Sequence, residues 1–482
     1  MLAATLLALL VAWTLNSKPR ALLDPRWKLP ADLVSRQEQL VELRLPPSVD
    51  RVDWLAPNLR MLSLAQTAVS SLRGLPPRLR ELDISNSEVA SLKGIPDTVV
   101  NLDLSWTPIE ALEGLPLSLR SLSLAGRRIE SLEGLPGSLR VLRLTQIRVS
   151  ELRGLPALEV LTLTGANFES LEGLPTSLRS LALEGTMIRS LDELPEQLES
   201  LSLSNNYQLS AARRLPDSVS HLETDRFPLP PLGNLLNLKF LSLWRQGQTV
   251  ALPTTLSELV LDLTADEAAD DRGGLPELRD LPLSLRRLSL VNASADRIPE
   301  RLPASLSTLN LPWFRGRRLP PLPALRKLSL RWSNVDTLAG LPSSLQELDL
   351  SASAVGTLRG LPANLRQLRF QWFPLEGAET IAVLEHLEDL DLSGSETLRR
   401  LGPLPRTLRQ LNVSQTELQD LGRDPLPAGL EVLDISNTKI SSLAALSSLD
   451  HLRSLTLHAG QVKSLDGMPT SVRSLSFVTR NR

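Results

Sequence analysis

Four histidines are the first candidates for chemistry in this chain: His221, His386, His451 and His458. None stands at the pair spacing that a zinc site uses. Cysteine is absent, which removes disulfides, thiolate nucleophiles and cysteine metal sites. There is no glycine-rich phosphate loop ending in Gly-Lys-Ser/Thr, and no Gly-x-Ser-x-Gly elbow. Carboxylates recur at one position, at Asp83, Asp103, Asp349, Asp391 and Asp434, with Arg369 between Asp349 and Asp391 in adjacent copies. That row reads as a cross-strand charge ladder rather than as an acid/base pair. A separate acidic stretch, Asp262, Asp266, Glu267, Asp270 and Asp271, has the groups a hard cation wants but not the alternating order of a calcium loop. It reads as a solvated loop. No catalytic residue, metal site or cofactor is expected.

Tryptophan placement points instead to binding. Of eight tryptophans, Trp106, Trp313, Trp332 and Trp372 fall two residues after a Leu-x-Leu or its equivalent, and Trp244 falls one residue after. With strands ~4.8 Å apart, Trp313, Trp332 and Trp372 span roughly 15 Å. Phe314, Arg331 and Arg369 lie beside them, with Arg315, Arg317, Arg318 and Phe373 near. Trp and Arg together are typical interface anchors. The candidate partner-binding residues are therefore Trp313, Trp332, Trp372, Trp244, Trp106, Arg331, Arg369 and Phe314. The competing reading is that each Trp folds over its neighbour and caps the core edge. A row of exposed Trp also suits sugar rings, although arginine-rich surroundings favour a protein or an anionic glycan. His221 and His458 fall on exposed strand positions.

A second row, Arg80, Arg120, Arg140, Arg179, Arg286, Arg326, Arg366, Arg409, Arg453 and Arg473, is interrupted by Glu159, Glu199, Glu388 and Glu431. It reads as a solvated, paired stripe. The net charge of −2 supplies no global positive excess to hold a phosphate backbone, so no nucleic-acid partner is expected.

The elements that position these residues come from one repeated unit. Leu82-Asp83-Ile84, Leu102-Asp103-Leu104, Leu122-Ser123-Leu124 and Leu142-Arg143-Leu144 stand 20 residues apart. The pattern continues to Leu475, giving about 21 or 22 units, with a first one near Leu43 and an irregular one near Leu259. Leu-x-Leu alternates with period two, so both leucines point to one side of a short strand and the residue between them points to the other. One unit cannot close a core, but stacked units bury the leucines in a continuous column. Each buried leucine contributes ~1.5–3 kcal/mol before chain entropy is subtracted.

Past the strand, a small polar residue such as Ser87, Thr107, Thr186, Asn206, Ser333 or Thr416 recurs, placed to bond buried backbone groups of adjacent coils. The return segment carries Gly-Leu-Pro, as at Gly74-Leu75-Pro76 and Gly360-Leu361-Pro362. Proline and the few remaining residues favour extended, polyproline-like convex segments. Three stretches break the period: Asn205 to Asn237, the interval between Leu261 and Leu288, and Glu376 to Glu388. In the last, Ala378, Ile381, Leu384 and Leu387 suggest one helical convex segment.

The 20-residue period with Leu-Pro-x-x-Leu, as in Leu341-Pro342-Ser343-Ser344-Leu345, resembles the bacterial LPX type of leucine-rich repeat found in secreted effectors of pathogens. The resemblance covers about residues 40–480. It agrees with a β-rich solenoid, a leucine-rich-repeat horseshoe or superhelix with a concave parallel sheet and a mostly extended, helix-poor convex side. Two departures stand out. The ladder position is mostly Thr or Ser where the family has Asn. The ubiquitin-ligase effectors carry a separate cysteine-dependent domain, and this sequence has neither the residues for it nor any Cys.

The organisation expected is an apolar signal or membrane-anchor segment over 1–17, an N-terminal cap or linker over 18–42, and the solenoid over 43–482. The apolar run beginning Met1-Leu2-Ala3 is followed by Lys18, Arg20, Arg26 and Lys28. It implies a membrane-anchored or exported protein of the bacterial envelope, or a secreted one. The expected function is a protein-interaction scaffold binding through the concave face and its Trp/Arg edge. A carbohydrate-binding surface protein and a structural envelope protein are the alternatives. The last unit, ending Phe477-Val478-Thr479-Arg480-Asn481-Arg482, has no capping helix after it. An uncapped coil implies self-association or docking at that edge.

Overall fold

The computed structural model describes residues 32–33, 37–210, 212, 214–225, 229–244, 251–264, 281–299, 301–372, 381–421 and 425–478. Each Leu-x-Leu forms a short strand, from β1 (Glu42–Arg44) to β22 (Ser474–Val478), and all pairings are parallel with leucine opposite leucine. The leucine rows are buried almost completely, as at Leu122, Leu142 and Leu161, each 0% exposed. The irregular unit at Leu259 supplies the strand Glu258–Asp262.

The Leu-Pro-x-x-Leu spacing has a local cause. The proline carbonyl accepts a hydrogen bond from the leucine N–H three residues on, at 3.1 Å for Pro116 to Leu119 and 3.0 Å for Pro136 to Leu139. Proline thus opens a tight turn that delivers the chain into the strand. A hydroxyl inside this turn ties coil to coil: Ser118 Oγ donates to Val99 O at 2.9 Å and Ser138 Oγ to Leu119 O at 2.7 Å. Among the described residues the return segments are tight turns and extended stretches, with short 3₁₀ turns at Gln37–Gln39, Leu232–Asn234, Ala295–Arg297 and Ala444–Leu446.

The solenoid has no open end among its strands. β22 pairs with β1 in parallel register, Leu475 beside Leu43, so the 22-stranded sheet closes on itself. Val41 N donates to Arg473 O at 2.9 Å, as Arg60 N does to Val41 O at 2.8 Å inside the array. The segment before β1 seals the seam. Asp32 Oδ1 accepts the Leu465 N–H at 3.0 Å, and Leu33 and Leu40 join the core. Gln37, 2% exposed, donates to Trp54 O at 2.7 Å and accepts from Ala56 N at 2.9 Å.

The expected uncapped C-terminal edge is therefore corrected: its donors and acceptors are used by β1, and the reason for self-association there disappears. The coils join where an open horseshoe or superhelix would leave two ends. Strands held ~4.8 Å apart by backbone bonds are the tightest spacing in each coil, so the sheet lies on the inside and the return segments fan outward. For 22 strands that spacing gives a ring about 34 Å across at the sheet.

Two further expectations change. The polar residue after the strand bonds its own coil at Thr67, Ser87, Thr107 and Thr416, each donating to the carbonyl three residues back at 2.6–2.7 Å, whereas the buried hydroxyls of Ser333, Ser353 and Ser395 meet no acceptor. From this corner a hydroxyl reaches the next coil only where a longer side chain there meets it. The longer Asn206 does cross, accepting from Thr186 Oγ1 at 2.7 Å and donating to Leu183 O at 2.8 Å. Within 376–388, residues 381–388 form turns rather than helix, with Ile381, Leu384 and Leu387 buried; Ala378 lies outside the described residues. The apolar segment 1–17 and Asp266, Glu267, Asp270 and Asp271 also lie outside them. No helix among the described residues is long and apolar enough to cross a membrane.

Candidate functional site

The residue two past the second strand leucine occupies a corner with left-handed backbone. Asn86 (φ 56°), Asn205 (φ 57°), Asn437 (φ 56°) and several glycines fill it, as that conformation favours. Four coils place tryptophan there instead: Trp106 (φ 61°), Trp313 (φ 55°), Trp332 (φ 53°) and Trp372 (φ 65°). Bulky residues in this region are outliers, and such positions concentrate at functional sites. A hydrogen bond to the next coil holds each corner, from Trp106 N to Ala125 O at 2.8 Å and from Trp332 N to Ser351 O at 3.0 Å.

Each ring leans toward the following coil. The Trp106 ring lies against Gly126, and the Trp372 ring lies so near Gly394 that a Cβ there would come within 2.7 Å of it. Trp313 stacks on Trp332 with centroids 4.7 Å apart and planes at 11°. The Arg331 guanidinium sits 4.7 Å from the Trp332 ring centroid, a cation–π contact. The tryptophans keep open faces nonetheless: Trp106, Trp332 and Trp372 are 37%, 38% and 57% exposed.

The structure brings Trp313, Trp332 and Arg331 into one stack, with Trp372 two coils further along the same rim. Trp106 lies on the same row far around the ring. Trp244 ends the strand Phe240–Trp244 and donates from Nε1 to Ser242 Oγ at 2.9 Å. Phe314 is 0% exposed and belongs to the core, so it offers no surface to a partner. It occupies the position that Thr107 and Ser333 hold in their coils, where most side chains turn inward. Arg369 is exposed on the inner face; Phe373 lies outside the described residues.

The carboxylate row has a structural task. Asp83, Asp103, Asp349, Asp391 and Asp434 each accept the backbone N–H of the serine two residues on, at 2.8–3.0 Å, closing the end of the strand as a local cap. Arg369 stands in register between Asp349 and Asp391, but it does not make the expected ladder. The cation near Asp349 is Arg331, at 3.8 Å, and Asp391 takes the Gln371 amide at 2.6 Å. The inner face is nevertheless acidic. Burial pushes Asp103, Glu184, Glu223, Asp389 and Asp434 above the usual carboxylate range, against the lowering effect of hydrogen bonds from neighbouring side chains.

The arginine row on the opposite rim is paired wherever a glutamate interrupts it. Arg140, Arg179, Arg366 and Arg409 meet Glu159, Glu199, Glu388 and Glu431 of adjacent coils. His221 is exposed and stacks on Phe240 at 5.8 Å. No group of three or more His, Cys, Asp or Glu placed to hold a metal ion occurs among the described residues.

No family model matches the chain. A 92-residue stretch, 19% of the chain, is 30% identical to the disease resistance protein RRS1 of Arabidopsis thaliana, and it spans only 7% of that protein's length. Among solved structures the chain is similar to YopM from Yersinia enterocolitica WA-314, at 25% identity, 93% coverage of both chains and a TM-score of 0.38. It is also similar to TLR13 in its complex with ssRNA13, at 21% identity, covering 90% of this chain and 72% of that one, TM-score 0.48. A third is CroV588, described as a circular LRR protein, at 18% identity, covering 92% and 86%, TM-score 0.40.

Proposed function

We propose that this leucine-rich-repeat ring is a non-catalytic scaffold that binds a protein partner through the tryptophan rim at the C-terminal ends of its strands. One observation carries the reading: bulky, partly exposed tryptophans occupy a left-handed corner where other coils place asparagine, glycine, glutamine or alanine. The corner works in other coils without an aromatic ring, and a third or more of Trp106, Trp332 and Trp372 stays open to solvent beyond their contacts with the next coil. Flat, rigid indole faces beside Arg331 suit a desolvated interface centre.

The test compares proteins retained by the wild-type ring with those retained by a Trp313→Ala, Trp332→Ala, Trp372→Ala variant, with thermal melts run on both. A partner lost from the variant at unchanged melting temperature supports the reading. A large fall in melting temperature makes the tryptophans core caps, and a glycan recovered in place of a protein moves the rim to carbohydrate recognition. Assignment to the bacterial LPX type, and export or membrane attachment through residues 1–17, belong to the same proposal. The Leu-Pro-x-x-Leu turn and the apolar composition of that segment support them.

A further inference from the structure

The seam does more than end the array. The residue just before each strand's first inner-facing residue forms a row around one rim, linked by backbone bonds. Arg473 N donates to Arg453 O, Val41 N to Arg473 O, Arg60 N to Val41 O and Arg80 N to Arg60 O, each at 2.8–2.9 Å. Val100 and Arg120 continue it, again at 2.8 Å. Closure thus places two arginines from the C-terminal coils beside two from the N-terminal coils, on a rim that an open solenoid would split between its ends.

This arc is the densest basic part of the rim, with five arginines in seven coils. Glu159, Glu199, Glu388 and Glu431 pair with arginines of adjacent coils on either side of it, and the other acid-free stretch, Ser220 to Gln346, holds only Lys239, Arg286 and Arg326. Between Arg453 and Arg120 the row holds no acid, and among the described residues no carboxylate lies within 4.0 Å of Arg453, Arg473, Arg60, Arg80 or Arg120. All five are exposed. The nearest acids on the inner face are already engaged: Glu42 accepts from Ser474 Oγ at 2.9 Å and Glu81 from Asn101 Nδ2 at 3.2 Å.

The ring therefore displays its own complement. Each glutamate of the row pairs with an arginine one coil away; along the seam arc the arginines remain and the row offers no such carboxylate. We propose that this seam arc binds an acidic segment of a partner protein, which supplies carboxylates at about the 4.8 Å strand spacing. The acidic inner face repels such a segment from the opening, so it lies across the rim instead of threading the ring. This surface is on the opposite rim from the tryptophans and stands or falls separately from them.

A fluorescein-labelled oligoglutamate peptide, titrated with the full chain and followed by anisotropy, tests the proposal. An Arg60→Gln, Arg80→Gln, Arg473→Gln variant removes three of the arc's five arginines. An Arg179→Gln, Arg366→Gln, Arg409→Gln variant removes three paired arginines and serves as the control, with melting curves for both. The wild type and the control should bind alike, and the arc variant should lose about tenfold or more in affinity, with binding weakened by salt. No binding by the wild type overturns the proposal, as does equal loss in both variants. Tighter binding of a single-stranded oligonucleotide through the same arginines overturns it too, making the arc a phosphate-backbone surface.

Discussion

Ser474 Oγ donates a 2.9 Å hydrogen bond to Glu42, although 432 residues separate the two in the chain. The bond crosses the pairing of β22 with β1 and marks the place where the last coil becomes the neighbour of the first. The wild-type protein should therefore scatter light as a monomer over a wide concentration range, and the amides of residues 475–478 should exchange slowly. Leu475→Glu puts a charge into a fully buried site and should free both strand edges, giving rapid exchange in β22 and concentration-dependent association. Concentration-dependent association of the wild type, with fast exchange at the seam, would contradict the closed ring.

Within a coil, Leu181 is 1% exposed and Ala182 points to the inner face. Leu181→Ala should cost ~2–5 kcal/mol through lost burial and the cavity left behind. Ala182→Ser should leave the urea midpoint nearly unchanged. Equal losses at the two sites would mean that the strand faces are assigned the wrong way round.

Gly394 combines a left-handed φ of 73° with a close approach to the Trp372 ring. Gly394→Ala should destabilise by about 1–2 kcal/mol from the backbone alone and displace Trp372 from its seat. Indole emission should shift to the red. An unchanged spectrum would show that the ring does not rest on this glycine.

The inner carboxylates make the ring sensitive to pH in a defined direction. Burial raises Asp103 and Asp434 above their ordinary range, so the folded ring holds protons at a pH where the unfolded chain has released them. Stability from these groups then falls as pH rises through the raised folded-state range. Asp103→Asn with Asp434→Asn should raise the melting temperature at pH 7. That gain should shrink as pH falls through the raised range and vanish below about 4, the ordinary carboxylate value. A gain independent of pH would assign the effect to packing or hydrogen bonding.

The rungs and turns were legible in the sequence because each is a local rule repeated many times. Leu-x-Leu fixes a strand face, and Leu-Pro-x-x-Leu fixes the turn before it. The exposed corner of Trp332 and the pairing of Arg366 with Glu388 also followed from position alone. Phe314 was misplaced for a local reason. Past the second leucine the strand ends, and the left-handed Trp313 breaks the alternation, so the next side chain turns inward. The Ser/Thr row at the ladder position would have revealed this, since Phe314 occupies it. Closure was not legible, because Leu43 and Leu475 look like ordinary rungs. Whether they meet depends on small angles summed over the whole array, which no single repeat reports.

A closed array must also count. An open solenoid gains or loses a coil at little cost to the others, since each touches only its neighbours. Here 22 strands share a full turn, roughly 16° each, and removing one coil obliges every remaining interface to bend further. Duplication or deletion of a repeat, ordinarily the easiest change for such a gene, becomes a change felt by the entire molecule. Its repeat number is thereby a property under selection as a whole.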